Sequence, residues 1–240
     1  MTEDALLGGS VRLLQPRRGH RAGTDAVLLA ALCPAVQEGG TVVDLGSGSG
    51  AVGLMIAYRQ PAARVVFAER DPGLVALCRR NVALNVLGGR AECVEVDVFA
   101  RGRFGQVESA SADVVATNPP FLDARDRASP DPGREAAHHM DGGSLDGWIA
   151  ACASLLGPGG DLCLIHRADR LEQVLAAVTP RFGGLDLILI HPAASKPASR
   201  VVVRGRKGSR AVLRVSPPLI LHEEGGGFTP DAAALHGRAI

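Results

Sequence analysis

The chain has 240 residues, 46% of them hydrophobic and 21% charged, enough to bury a large core in one domain spanning 1–240. A net charge of +1 excludes a global polyanion-binding signature, so any nucleic-acid surface must be a local patch. Five cysteines, an odd number with no pair at ligand spacing, argue against a disulfide framework and for buried free thiols in a reducing compartment, the cytoplasm.

In chain order, short apolar runs alternate with helical patterns. Residues 1–23 read as an N-terminal extension; Met1 to Ser10 carries Glu3 and Asp4 without a basic segment, unlike a signal peptide. Thr24 to Cys33 reads as a helix, with Thr24 as its cap and Pro34 as its stop. Val42 to Leu45 is a strand, Gly50 to Tyr58 a helix and Val65 to Ala68 a strand. Leu74 to Leu87 is a helix closed by Gly88-Gly89. Cys93 to Val96 and Asp113 to Thr117 are strands, and Leu145 to Leu156 is a helix ended by Gly157-Pro158-Gly159-Gly160. Leu162 to Ile165 is a strand, Arg170 to Val178 a helix, and Leu185 to Ile190 and Val201 to Val203 are strands. This alternation predicts an α/β fold, a mostly parallel sheet with helices on both faces. No apolar run approaches membrane-spanning length, so no membrane partner is expected.

Asp44-Leu45-Gly46-Ser47-Gly48-Ser49-Gly50 follows the first long strand and opens a helix. Glycines let a backbone turn tightly against a ligand, and a helix N-terminus favours an anion. Glu69 ends the next strand, where an acid can hold ribose hydroxyls. Gly48 to Gly53 also fits the dinucleotide fingerprint G-x-G-x-x-G. Asp44 points elsewhere: an acid just before the glycines suits a cationic amino group better than a pyrophosphate. S-adenosylmethionine carries such a group with a carboxylate, a ribose and an adenine. Asp97, after the third strand, is placed to accept from the adenine amino group.

Asn118-Pro119-Pro120-Phe121 directly follows the run Asp113 to Thr117. The prolines lack N–H groups and have a fixed φ, and Asn118 before a proline is pushed to extended backbone. The turn therefore offers oxygens without competing donors, beside an aromatic face. That suits gripping a planar amino group, on a nucleobase or a side-chain amide.

Together these segments resemble the class I S-adenosylmethionine-dependent methyltransferases, and within them the bacterial tRNA(Val) adenine-N6 methyltransferases, which modify the adenosine beside the anticodon. The resemblance covers nearly the whole chain and rests on Arg21 to Leu29, Val43 to Gly50, Glu69, Asp97, Asn118 to Phe121 and the tail from Leu219 to Thr229. It implies a Rossmann-like fold with a mostly parallel seven-stranded sheet, S-adenosyl-L-methionine as cofactor, no metal, and RNA, tRNA first, as partner. By the same resemblance Asp44, Gly46, Ser47, Gly48 and Gly50 wrap the methionine part, and Glu69 with Arg70 takes the ribose. Asp97 and Val98 hold the adenine, and Arg21 and Thr24 close over the methionine end. Asn118 borders cofactor and substrate. Many relatives have Tyr where this chain has Phe121; Phe is also common in enzymes that methylate guanine N2 in ribosomal RNA.

The chemistry expected of these residues is simple. Asn118 Oδ1 and the Pro119 carbonyl accept the two N–H bonds of an exocyclic amine, while Phe121 stacks on its base. The long polar segment Leu122 to Gly143, with Arg134, His138, His139 and Asp141, reads as a substrate loop. Lys196 and Arg200 follow the Leu185–Ile190 strand and leave the sheet at the same edge as Asn118, so with Arg134 they form the expected RNA patch. If Val201–Val203 runs back antiparallel, Arg206 to Arg214 start from the opposite edge, and the tail 204–240 is expected to pack on or near the same domain. Two other functions share parts of this pattern. A protein glutamine methyltransferase carries Asn-Pro-Pro-aromatic but usually also a helical N-terminal domain, whereas about 20 residues precede Thr24 here. An idle RNA-binding module would not be expected to keep Asp44, Glu69, Asp97 and Asn118.

Overall fold

Stretches that are apolar at every position form strands buried on both faces. The computed structural model of the chain describes residues 1–17, 21–99, 109–120 and 144–237. In chain order it contains β1 (Thr2–Leu6), β2 (Val11–Gln15), α1 (Thr24–Leu32), β3 (Thr41–Leu45), α2 (Ala51–Arg59), β4 (Arg64–Glu69), α3 (Pro72–Leu84) and β5 (Ala91–Glu95). There follow β6 (Ala112–Thr117), α4 (Leu145–Leu155), β7 (Leu156–Arg167), α5 (Leu171–Val178), β8 (Phe182–Ala193), β9 (Arg200–Lys207), β10 (Arg214–Val215), β11 (Leu219–His222) and α6 (Pro230–Leu235).

The central sheet runs β8-β9-β7-β6-β3-β4-β5, and only β9 is antiparallel to its neighbours. These are the seven strands expected. Two short ones add to them: β10 and β11 pair parallel with the outer side of β8, making nine. Alternate residues feed two cores. Val42, Val65, Phe67, Val114 and Ala116 pack with α1, α2 and α3 on one face. Val43, Leu45, Ala68, Val94 and Val115 pack with α4 and α5 on the other.

Strand β3 pairs with β4 on one side and β6 on the other, so chain order reverses there and a crevice opens above its carboxyl end. Because β3, β4, β5 and β6 are parallel, Gly46, Glu69, Asp97 and Asn118 all emerge at that one edge.

The first 15 residues are not a plain extension. Strands β1 and β2 form an antiparallel hairpin, and Val11 and Leu13 are buried in the α1–α3 core. Two asparagines one turn apart on α3 hold it like an extra strand. Asn81 bonds the amide and carbonyl of Leu14, each at 2.8 Å, and Asn85 bonds those of Arg12 at 2.9 and 2.7 Å. Helix ends also differ from expectation. Gly23, not Thr24, is the N-cap of α1 and offers no side-chain bond. Helix α3 stops at Leu84, and Val86 takes the left-handed conformation (φ 56°) expected of the glycines. The buried Leu87 closes that turn with an N–H bond to the Val82 carbonyl.

The tail crosses the molecule. After β11 it turns through Phe228 into α6, whose Ala232 is buried in the same core as Leu28. Arg59 then bonds the Leu235 carbonyl, and Gly237 lies against Leu7 and Gly8 of the N-terminal hairpin.

Candidate active site

The loop from Gly46 to Gly50 is held from below and from the side. The amides of Gly46 and Ser47 both donate to the Ala68 carbonyl of β4, at 2.8 and 3.1 Å. Gly50 has φ 94°, and a Cβ there would lie 2.7 Å from the Cys78 sulfur of α3, so only glycine fits. Asn81 reaches the loop as well, donating to the Ser49 carbonyl at 2.8 Å, so the same side chain anchors the hairpin and the glycine turn.

Asp44 is 2% exposed and accepts the Gly53 N–H in the first turn of α2 at 2.8 Å. Burial pushes its pKa up to about 7; the Gly53 hydrogen bond opposes the rise and the charge of Glu69 adds to it. Glu69 accepts Gly48 N–H on Oε2 at 2.9 Å, and Arg70 and Asp71 N–H on Oε1 at 2.9 and 3.0 Å. A carboxylate has about four acceptor sites, which leaves one on Oε2 for a ligand hydroxyl. Ser47 Oγ is buried and has no hydrogen-bond partner among the described residues. A buried hydroxyl left unmet is costly. An orphan hydroxyl on the glycine turn, a spare carboxylate site bonded to it from β4 and a buried acid just before it in β3 fit a ligand rich in polar groups.

Asp97 is exposed, and its Oδ1 accepts the Phe99 N–H at 2.9 Å, which turns the chain after β5; Val98 beside it is half-buried. Asn118 is half-buried and Pro119 buried, across the switch point from the glycine loop. Phe121, Arg134, His138, His139 and Asp141 lie outside the described residues.

The remaining expected residues have the following partners. Arg21 bonds Thr2 Oγ1, the Pro16 carbonyl and Asp4 Oδ2, at 2.8, 2.9 and 2.6 Å, so its guanidinium ties the hairpin to the start of α1. Thr24 is the first residue of that helix. Arg200 pairs with Asp25 of α1 at 2.9 Å and also donates to the Ser199 carbonyl. Lys196 is exposed in the turn between β8 and β9. Of the basic tail, Arg206 pairs with Asp161 and both Arg204 and Arg214 pair with Asp186, so much of that charge is spent within the sheet.

Three side chains join the site that the sequence did not single out. The Trp148 indole N–H of α4 donates to Thr117 Oγ1 at 2.9 Å, and that hydroxyl donates to the Leu45 carbonyl at 2.8 Å. Phe99 packs beside the indole, with ring centroids 6.1 Å apart. Among the described residues no cluster of three or more His, Cys, Asp or Glu could hold a metal, and no helix is long and apolar enough to cross a membrane. All five cysteines are free; Cys33, Cys78, Cys152 and Cys163 are buried and Cys93 is half-buried.

A glycine turn and ribose-type acid below the switch point are common to several nucleotide folds. The strand beside them, ending in Asn118-Pro119-Pro120, separates this cleft from a dinucleotide site: the chain is a class I S-adenosylmethionine-dependent methyltransferase. It belongs to the methyltransferase small domain family, whose model matches residues 22–183. A relative from Porphyromonas gingivalis, named tRNA1(Val) (adenine(37)-N6)-methyltransferase, is 31% identical over 90% of this chain and 86% of its own. One of the same name from Aeromonas hydrophila is 30% identical over 80% of this chain and 79% of its own. A solved structure described as a predicted O-methyltransferase from Agrobacterium tumefaciens superposes with a TM-score of 0.74, is 32% identical, and covers 90% of this chain and 98% of its own.

Proposed function

We propose that this enzyme methylates an exocyclic amine of RNA, specifically adenine N6 at the position beside the anticodon of a tRNA. The observation that carries the reading is the Asn118-Pro119-Pro120 turn across the switch point from the glycine loop, in a chain alike over nine tenths of its length to a relative with that printed activity.

When bound, S-adenosylmethionine supplies an electrophilic sulfonium methyl group. Asp44 sets a negative charge under the glycine turn, which attracts a ligand ammonium; Ser47 Oγ and the Ser49 amide meet its carboxylate, the Gly46, Ser47, Gly48 and Gly50 amides being bonded within the protein. Glu69 Oε2 takes a ribose hydroxyl, with Arg70 beside it, and Asp97 and Val98 border the adenine. Arg21 and Thr24 shape the wall over the methionine end.

An adenine amine is a poor nucleophile because its lone pair is delocalised into the ring. Asn118 Oδ1 and the Pro119 carbonyl accept its two N–H bonds, which favours a pyramidal nitrogen with its lone pair turned toward the glycine loop. Acceptors aimed at developing positive charge are an oxyanion hole of reversed sign. No strong base is needed, since the amine loses its proton after it becomes cationic. Phe121, next in the chain, is assigned to stacking on the base, a contact worth roughly 1–3 kcal/mol. A base inside a structured loop must flip out to reach this turn. Lys196, Arg200 and Arg134 are assigned to RNA phosphates; Arg200 keeps donors free after its bonds to Asp25 and Ser199.

The test is incubation with labelled S-adenosylmethionine and unmodified bulk tRNA, followed by nucleoside mass spectrometry. N6-methyladenosine is expected. N2-methylguanosine in ribosomal RNA, or label only in a glutamine-containing protein, would replace this reading with one of its alternatives.

A further inference from the structure

We propose that Trp148 is a positioning residue for methyl transfer, locking the Asn118 turn against the glycine loop through the Thr117 hydroxyl. The proposal rests on the reading of this cleft as an amine methyltransferase site.

Four observations carry it. Thr117 and Leu45 are register partners at the ends of β6 and β3, one residue before the Asn118 turn and one before Gly46. Thr117 is fully buried, and its hydroxyl donates across the strands to the Leu45 carbonyl. A lone hydroxyl can rotate, but the Trp148 N–H arriving at 2.9 Å fixes it as donor to Leu45. The indole ring also lies under the cofactor loop: a Cβ on Gly46, which has φ 74°, would come within 3.0 and 3.1 Å of two ring carbons. One side chain thus touches both halves of the site, the ring on the glycine loop and the N–H on the strand that carries Asn118.

The bonds are ordered donor to hydroxyl to carbonyl, an arrangement in which each bond polarises the next. Helix α4 delivers the ring because Ser144 caps it, accepting the Gly147 N–H, so Trp148 enters in the first turn at a fixed angle. Phe99, after β5, packs beside the indole, its ring tilted 45° to it. Any buried tryptophan needs a partner for its N–H; here that partner is the hydroxyl that bridges β6 to the Leu45 carbonyl, while the ring lies against Gly46.

Trp148 is the only tryptophan in the chain, so its emission reports on the cleft directly. Fluorescence titrations with S-adenosylhomocysteine are compared for wild type, Thr117→Val and Thr117→Ser; calorimetric titrations and turnover on unmodified tRNA are compared for these, Trp148→Phe and the double variant Thr117→Val/Trp148→Phe. Wild-type emission should change saturably, with the same Kd as calorimetry. Thr117→Val should shift ligand-free emission and lower kcat ~10-fold or more, as small displacements of reacting groups do. Affinity for S-adenosylhomocysteine and KM for tRNA should stay within about threefold, since ground-state binding is untouched. Thr117→Ser, which restores the hydroxyl, should recover the rate. Trp148→Phe should lose as much as Thr117→Val, and the double variant no more than either, because both cut one chain.

Emission that stays flat through a calorimetrically saturating titration would overturn the proposal. So would a folded Thr117→Val with wild-type kcat. Should wild type methylate no RNA at all, the substrate reading falls but the emission arm still decides: a saturating change with a shifted Thr117→Val supports the lock, and a flat one sinks it.

Discussion

Asp44 spends its buried carboxylate on the amide of Gly53, 2.8 Å away, inside the first turn of the helix that the glycine loop opens. Its pKa near 7 stands well above that of a carboxylate in an unfolded chain. Between about pH 4 and 7 the folded protein therefore binds more protons than the unfolded one, and the stability this group contributes is lost as pH rises through that window. A ligand ammonium near Asp44 reverses the balance by favouring the ionised form. S-adenosylhomocysteine affinity should rise from pH 6 to pH 8, and the ligand-induced rise in Tm should grow with it. Asp44→Asn should melt higher than wild type at pH 8 without ligand, yet bind S-adenosylhomocysteine at least ~10-fold more weakly, as removal of a charge partner does. Calorimetry and thermal melts at both pH values decide it; affinity independent of pH in wild type would remove Asp44 from this role.

Asn118 separates binding from chemistry. The residues assigned to the cofactor are mostly on β3, β4 and their loops, so Asn118→Ala should keep S-adenosylhomocysteine affinity nearly unchanged. Its rate should fall by ~10² or more, the usual effect of deleting one acceptor aimed at a transition state. Single-turnover measurements at saturating cofactor are the check, and a near-normal rate would reduce Asn118 to a turn residue.

Most of this site was legible in the sequence because parallel strands bring their carboxyl ends to one edge. Once Val42 to Leu45, Val65 to Ala68 and Asp113 to Thr117 are read as such strands, Gly46, Glu69 and Asn118 must meet above them. What escaped was bonding between distant elements. Thr117 and Trp148 are 31 positions apart and meet only because α4 packs on the sheet. The N-terminal hairpin escaped because Thr2 to Leu6 is mostly polar and half-exposed, with its support on another element. The one local signal was the pair Asn81 and Asn85, one turn apart at the end of α3, Asn81 a poor helix former in its last turn and Asn85 its C-cap.

That pair makes the hairpin testable. Asn81 is fully buried and holds the Leu14 amide, the Leu14 carbonyl and the Ser49 carbonyl. Asn81→Ala leaves all three without a partner and should cost about 3 kcal/mol, at 1–3 kcal/mol per unmet buried group with partial rescue by water. Urea denaturation measures the loss. Because Ser49 belongs to the glycine loop, S-adenosylhomocysteine binding should weaken in the same variant, whereas Asn85→Ala, whose side chain bonds Arg12 and the Asn81 carbonyl but not the glycine loop, should spare it. Equal ligand affinity in the two variants would uncouple the hairpin from the cofactor loop.

RNA recognition is where charge bookkeeping is most informative. With a net charge of +1 and with Arg204, Arg206 and Arg214 paired to Asp161 and Asp186, affinity must come from a few local cations. Each phosphate contact on single-stranded RNA contributes ~0.7 to the slope of log affinity against log salt. Lys196→Ala should flatten that slope by about 0.7 with no change in stability, because the ammonium is exposed. Arg200→Ala should flatten it by a similar amount and also destabilise the fold by up to about 1 kcal/mol, since it strips Asp25 of a half-exposed ion pair. Asp25→Asn in the Arg200→Ala background should recover that stability and leave the flattened slope as it is. S-adenosylhomocysteine affinity should be unchanged throughout. Salt titrations of tRNA binding for the two single variants and their combination are the measurement. Wild-type slopes in the combination would move the RNA surface away from the turn between β8 and β9.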